Sequence, residues 1–235
     1  MIVELFTSEG CSDCPAADRL LAKLEAEQPV PGAEIIVLGE HVDYWNHDGW
    51  VDRFSSHEFT QRQESYSREF GLDSIYTPQM VVDGRTEFVG SSERNAVKAL
   101  EKAIAEPHAT VAGLSSFHAE TGKNGTFTFT GITVSAVPKV ERNESVDIVL
   151  ALTEADLHSE VKDGENKGRS LSHTGIIRSM KIIGTWDGKS EMTTKPTSFF
   201  VDSNRWKTEK MRAIVFLQGH TTRHIYGAKS VALSQ

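Results

Sequence analysis

The sequence predicts an α/β domain over residues 1–106 followed by a smaller all-β, antiparallel sandwich-like domain over residues 107–235. Three observations carry that prediction. Strand and helix signals alternate as far as Pro107, an apolar run at Ala33–Leu38 is bounded by glycines as a buried parallel strand would be, and past Pro107 the apolar period becomes two. A chain of 235 residues with 38% hydrophobic content can bury a core in each of two modest domains.

The first strand is Ile2-Val3-Glu4-Leu5-Phe6, apolar and partly β-branched, ending in the turn-like Thr7-Ser8-Glu9-Gly10. Cys11-Ser12-Asp13-Cys14-Pro15 then opens a helix, whose stripe is Ala17, Leu20, Leu21 and Leu24 at i, i+3, i+4 and i+7; Pro15 is tolerated in a first turn. Pro29 and Pro31 stop it. After the second strand, the aromatic-rich stretch His41–Phe54 leads to Ser55 and Glu58 at capping-box spacing, and Phe59, Tyr66 and Phe70 give the second helix its apolar side before Gly71. Gln79–Val82 and Thr86–Val89 flank Asp83-Gly84, a hairpin signal. Ser91-Ser92 can cap a last helix with Ala96, Val97, Leu100 and Ile104 inward. Beyond Pro107, Phe127 and Phe129 alternate with threonines, Val146, Ile148, Leu150 and Leu152 alternate likewise, and further strands are expected at 174–183, 213–217 and 224–233.

Charge is uneven. Residues 1–106 hold 9 basic and 20 acidic side chains (net −11) and residues 107–235 hold 16 and 13 (net +3), within a formal total of −8. An acidic half without a basic stripe is a poor nucleic-acid binder. No run approaches the roughly 18 apolar residues of a membrane helix, and no basic segment followed by an apolar one marks a secretory leader. The chain as given reads as soluble and cytoplasmic, or periplasmic or secreted if a leader is missing, with no membrane insertion.

Cys11 and Cys14 are the only cysteines, too close together to brace a fold. At a helix mouth, unpaired N–H groups and the helix dipole stabilise an anion and raise the thiolate fraction of the leading thiol. Cys11 is then the nucleophile that attacks a substrate disulfide, and Cys14 resolves the mixed disulfide by forming a Cys11–Cys14 bond. Half a zinc site has the same spacing, but the chain lacks the second cysteine pair of a four-thiolate site. Glu9, Asp13 and Asp18 oppose the helix field, so Cys11 is expected to be only mildly acidic and the pair to lie toward the reducing end of the scale.

In its strand, C-x-x-C-P, helix order and in Thr77-Pro78, the sequence resembles the thioredoxin superfamily. The resemblance implies a thioredoxin-like fold for residues 1–106, a cis peptide before Pro78 facing the disulfide, and main-chain hydrogen bonds from Thr77 to an extended substrate. An ordinary trans X-Pro entering an edge strand is the other reading of that dipeptide. The stretches Glu4–Cys11, His41–Trp45, Tyr76–Val82 and Gly164–Arg169 are similar to a largely bacterial family of thioredoxin-like proteins catalogued as a domain of unknown function, which implies a fold and no substrate. One departure bears on mechanism. Many thioredoxins carry a buried carboxylate six residues ahead of the first cysteine, and here that position is Leu5. His41 and Asp43, two apart at the end of the second strand, can take over proton transfer; they read equally well as an interior histidine and a turn residue.

Other features are less specific. Tyr44, Trp45, Trp50 and Phe54 could wall a substrate groove or fold down as local core. His220 and His224 lie across an expected turn, which argues against a metal pair, and Gly164–Ser170 lacks the spacing of a phosphate-binding loop and reads as a hairpin loop packing on the redox domain. The sequence thus points to a thiol–disulfide oxidoreductase without a cofactor or resident metal, acting on a protein or small-molecule thiol or disulfide. Two alternatives stay open: a copper or other soft-metal chaperone using both thiolates and His41, and a redox-inactive binding module.

Overall fold

Residues 2–7 alternate their side chains across a strand covered on both faces, so Val3 and Leu5 meet one helical layer while Glu4 and Phe6 meet the other. The computed structural model describes residues 1–113, 117–120, 125–202 and 205–233. The elements over residues 1–106 are β1 (Ile2–Thr7), α1 (Cys14–Glu27), β2 (Ile36–His41), α2 (His57–Phe70), β3 (Gln79–Val82), β4 (Thr86–Val89) and α3 (Glu93–Ile104). Then follow β5 (Val111–Ala112), β6 (Phe117–Glu120), β7 (Gly125–Phe129), β8 (Thr133–Val134), β9 (Val146–Glu154), β10 (Leu157–Glu160), β11 (Ser170–His173), β12 (Ile176–Trp186), β13 (Met192–Thr193), β14 (Thr197–Val201), β15 (Met211–Gly219) and β16 (Ile225–Ala232). Among the described residues no helix is long and apolar enough to cross a membrane.

The expected architecture, a thioredoxin-like α/β domain followed by a smaller antiparallel β domain, is corrected by the structure. Strands dominate the described residues against three α-helices, and the sheet of the first unit is mixed, in the order β2-β1-β3-β4, with Ile176 from far along the chain joining it at β2. Two compact units are present, one of Met1–Glu106 with Ala155–Ile176 and one of Pro107–Glu154 with Ile177–Gln235. The chain therefore returns to the first unit after β9. Ile176 pairs in parallel with Gly39 of β2, and the Gly39 N–H donates to the Gly175 carbonyl at 2.8 Å. An apolar alternating run does not encode which strand it will pair with, which is why the return is invisible in the sequence. Two glycines permit it. A Cβ on Gly175, at φ +61°, would lie 2.6 Å from the Val37 carbonyl oxygen, and one on Gly39 would lie 2.9 Å from Ile176 Cδ1.

In the first unit β1 pairs in parallel with β2 and antiparallel with β3, and β3 forms a hairpin with β4 through Asp83 and Gly84, both at positive φ. Leu20, Leu21 and Leu24 of α1 and Ala96, Ala99 and Leu100 of α3 cover the Val3/Leu5 face. Val97 is half-buried rather than inward. Ser56, not Ser55, caps α2 by accepting from the Glu58 N–H at 3.2 Å; the Ser55 hydroxyl donates instead to the Asp52 carbonyl. The α2 face buries charge: Glu4 accepts from Arg62 Nε at 2.6 Å and from the Tyr66 hydroxyl, and Glu40 lies 3.3 Å from the same Arg62 nitrogen. Burial pushes both carboxyls up, but Arg62 wins at Glu4 and holds it below the usual range. At Glu40 burial wins over Arg62, and the neighbouring Glu4 adds to the rise. One arginine thus faces two buried glutamates and favours the charged form of Glu4 more than that of Glu40.

In the second unit β9, buried along its length, pairs with β15, which pairs with β16, all antiparallel. Smaller sheets run β13-β8-β5 and β14-β7-β6. Their core includes Phe127 and Phe129, the latter edge-to-face with Phe199 at 5.8 Å.

Candidate functional site

The site grows from the end of β1. Thr7 closes the strand, the chain turns through residues 8–13, and the Cys11 N–H donates to the Ser8 carbonyl at 3.2 Å. Cys11 and Cys14 form a disulfide with Cα atoms 5.4 Å apart. The helix α1 begins at Cys14, with Pro15 in its first turn, so Cys11 sits on the turn that feeds the helix, its carbonyl accepting from the Cys14 N–H at 3.2 Å. Both cysteines are buried, Cys11 at 2% exposure and Cys14 at none.

Four residues beyond Cys14, one helical turn on the same face, stands Asp18. Its carboxylate is buried and accepts from the Thr7 hydroxyl at 3.0 Å. Burial pushes its pKa up, His173 and His41 pull it back in part, and Asp52 adds to the rise.

His41, at the end of β2, is buried with its Nδ1 2.6 Å from Asp52 Oδ2. Burial pushes the imidazole pKa down, but the Asp52 charge and hydrogen bond outweigh it and the net shift is upward; Asp52 is lowered by the same pairing against its own burial. Asp52 is also held by the Glu9 N–H at 2.8 Å and the Phe54 N–H at 2.9 Å. Asp43 lies apart from this pair. It accepts from the Thr60 hydroxyl at 2.6 Å and faces His57 at 3.1 Å, partly exposed.

Residues 155–176 complete the surroundings. His173 Nε2 lies 3.2 Å from Glu9 Oε1, and its ring meets the His41 ring edge-on at 4.8 Å, with Phe54 beside both. Glu9 also accepts from Trp50 Nε1 at 2.7 Å. Asn166, fully buried, donates to the carbonyls of Glu9 and Cys11 at 2.9 and 2.8 Å, and Glu165 accepts from the Ser12 N–H at 3.0 Å. The loop read as packing on the redox domain thus holds the cysteine turn itself.

The Thr77-Pro78 peptide is cis. Trp45 ties it to the cysteine turn: its Nε1 donates to the Thr77 hydroxyl at 2.7 Å, while its Cβ would lie 3.2 Å from a Cβ on Gly10. A Cβ on Gly90 would lie 3.2 Å from both Ala17 of α1 and Pro78, so the proline packs beside the helix that carries Cys14. Tyr44 and Trp45 pack against the Phe6/Tyr66 cluster and Phe54 is buried, as local core would be, while Trp45 and Trp50 also reach the turn at Gly10 and Glu9.

Sequence reasoning placed Glu9 and Asp18 only as charges flanking Cys11, and it did not single out Asp52, Asn166 or His173, which the fold brings to the cluster around the cysteine turn. For Asp18 a signal existed, since a carboxylate at i+4 from a helix-borne cysteine shares its face. For Asn166 the family-similar stretch Gly164–Arg169, read as a loop packing on the first domain, marked the segment but not the backbone groups it holds; for His173 there was no signal, because the chain's return is not encoded locally. Among the described residues no group of three or more His, Cys, Asp and Glu side chains is arranged to hold a metal ion. His220 instead faces Asp147 at 2.9 Å and His224 faces Glu141 at 3.1 Å.

The profile of a family described as protein of unknown function, DUF1223, matches residues 2–218. The chain belongs to DUF1223. No curated protein matches it. Among solved structures, this DUF1223 chain is similar to protein AGR_C_4864 from Agrobacterium tumefaciens, with 28% identity, a TM-score of 0.68, and coverage of 100% of this chain and 94% of that one. It is also similar in fold to HBP35 of Porphyromonas gingivalis, at 13% identity and a TM-score of 0.61, covering 99% of this chain and 74% of that one.

Proposed function

We propose that this DUF1223 protein is a thiol–disulfide oxidoreductase whose working pair is Cys11 and Cys14. The observation that carries the reading is a disulfide at the entrance to α1, joined through Trp45 to a cis Thr77-Pro78. In the reducing direction the Cys11 thiolate attacks one sulfur of a substrate disulfide, forming a mixed disulfide and releasing the first substrate thiolate. Cys14 then gives up its proton, and its thiolate attacks the Cys11 sulfur. A Cys11–Cys14 bond forms, the second substrate thiolate leaves, and two electrons have passed from the protein to the substrate. Run backwards, the same steps oxidise a dithiol.

In this reading Asp18 takes the Cys14 proton. A buried carboxylate with a raised pKa binds a proton more readily than an exposed one, and the helix puts it on the Cys14 face. His41 supports Asp18 from across the cluster while neutralising Asp52, and Thr77 offers its main chain to an extended substrate beside Pro78. Kinship with the thioredoxin superfamily belongs to this proposal at the level of the site, through the C-x-x-C turn and the cis-proline. The substrate class is a protein or small-molecule disulfide.

The test is insulin reduction with dithiothreitol as electron donor, comparing wild type with Cys11→Ser. Wild type is expected to accelerate turbidity and the variant to match the uncatalysed rate. Equal rates for the two would overturn the reading. A Cys14→Ala variant, unable to resolve its mixed disulfides, is expected to trap substrates covalently.

A further inference from the structure

We infer that Asn166 and Glu165, on the turn between β10 and β11, are positioning residues for the cysteine pair, setting the balance between dithiol and disulfide by holding the backbone of residues 9–12. The inference rests on the reading that Cys11 and Cys14 cycle between those two states, and it assigns a task to the Gly164–Arg169 motif that the exchange steps do not use.

Three observations support it. Arg169 can only donate hydrogen bonds, and its Nη1 donates to Asn166 Oδ1 at 2.8 Å, which fixes the amide so that Nδ2 faces the Glu9 and Cys11 carbonyls. The turn is itself braced. The Gly168 N–H donates to the Val161 carbonyl at 2.8 Å, the Val161 N–H to the Arg169 carbonyl at 3.0 Å and the Arg169 N–H to the Asn166 carbonyl at 3.0 Å. Glu165 caps the amide of Ser12, between the cysteines, so one short turn grips the redox loop at three backbone groups, two carbonyls and one N–H.

The physical consequence has a sign. A disulfide forms readily when its two thiols are already held near each other, because closing the bond then costs little further conformational entropy. When the bond is closed it restrains the turn by itself; when it is open only the grip does. Loosening the grip therefore penalises the disulfide relative to the dithiol. Glu165 acts in the same direction by charge, since a carboxylate on the Ser12 amide withholds that N–H from a thiolate and disfavours the thiolate by repulsion.

The experiment equilibrates the purified full chain with mixtures of reduced and oxidised glutathione. Protein disulfide plus two glutathione thiols gives protein dithiol plus glutathione disulfide, and the fraction oxidised is read by thiol alkylation and mass. Asn166→Ala is expected to lower the equilibrium constant for the protein disulfide about tenfold, the ordinary net worth of two backbone hydrogen bonds. That is about 30 mV for a two-electron couple. Glu165→Ala is expected to shift it the same way, and Glu165→Gln, which keeps an acceptor for Ser12, to recover part of the loss. Should Asn166→Ala fail to fold, the exposed Glu165 variants carry the test. Constants within twofold of wild type, or shifted toward a more stable disulfide, would overturn the inference. Because the protein's own disulfide is measured, a chain inert toward insulin would count against the oxidoreductase reading while leaving this equilibrium to decide the role of the turn.

Discussion

Replacing Asp52 with asparagine is expected to lower stability by about 3–5 kcal/mol near pH 6, the usual cost of removing one partner of a buried ion pair. The magnitude follows from three bonds. Asp52 Oδ2 faces His41 Nδ1 at 2.6 Å and accepts from the Glu9 N–H, while Oδ1 accepts from the Phe54 N–H. An asparagine has one acceptor oxygen, so Asp52→Asn leaves a buried N–H unsatisfied and an imidazolium without its counter-charge. The loss depends on pH with a definite sign. His41 has a raised folded pKa, so its contribution is fully present below the unfolded value of about 6.5 and fades as pH rises through the folded value. Asp52 has a lowered folded pKa, so its contribution is present above the unfolded value of about 3.9 and fades as pH falls through the folded one. The gap between wild type and variant should therefore be widest between about pH 4 and 6.5 and should narrow on the alkaline side to the cost of the unsatisfied N–H, about 1–3 kcal/mol. Glu9, Asp18 and His173 face the same pair and broaden the transition without reversing it. Urea unfolding at half-unit pH steps measures the gap. A gap below about 1 kcal/mol, or one flat from pH 5 to 9, would refute the reasoning.

Four further substitutions test the same physics. Asp18→Asn is expected to raise stability at pH 7 by about 1–3 kcal/mol, because a carboxyl with a raised folded pKa loses stability as pH climbs from its unfolded toward its folded value; urea midpoints at pH 4 and pH 7 measure the difference, which should vanish at the lower pH. The same variant should slow insulin reduction most on the acid side of the pH profile. Glu40→Gln is expected to change stability by less than about 1 kcal/mol, since burial already favours the neutral form of Glu40, whereas Glu4→Gln should cost about 3–5 kcal/mol by removing the carboxylate that Arg62 holds most tightly; thermal unfolding of the two variants side by side decides it. Gly175→Ala combines a positive φ with a Cβ 2.6 Å from the Val37 carbonyl oxygen, and is expected to cost about 2–4 kcal/mol and to expose the 155–176 segment to limited proteolysis.

Local pattern made much of residues 1–106 legible. The stripe of Ala17, Leu20, Leu21 and Leu24 is buried on α1, and Asp83-Gly84 makes the hairpin between β3 and β4. Each depends on residues within one element or one turn. The start of α2 slipped by one residue, with Ser56 rather than Ser55 as its cap, because neighbouring polar residues compete for the same position. The pairing of His41 with Asp52 rather than Asp43 was hidden for a related reason: an 11-residue excursion through Trp45 and Trp50 carries Asp52 back to the strand end.

What the sequence by itself determined is the C-x-x-C pair, the apolar stripe of the helix beside it and the alternation that makes strands. What only the tertiary structure decided is which strands share a sheet and which distant side chains reach the cysteines. Periodicity records the face a residue buries but not the partner that covers it, so Ile176 beside Gly39, His173 against Glu9 and Asn166 on the Cys11 carbonyl could emerge only once the chain had folded back on itself.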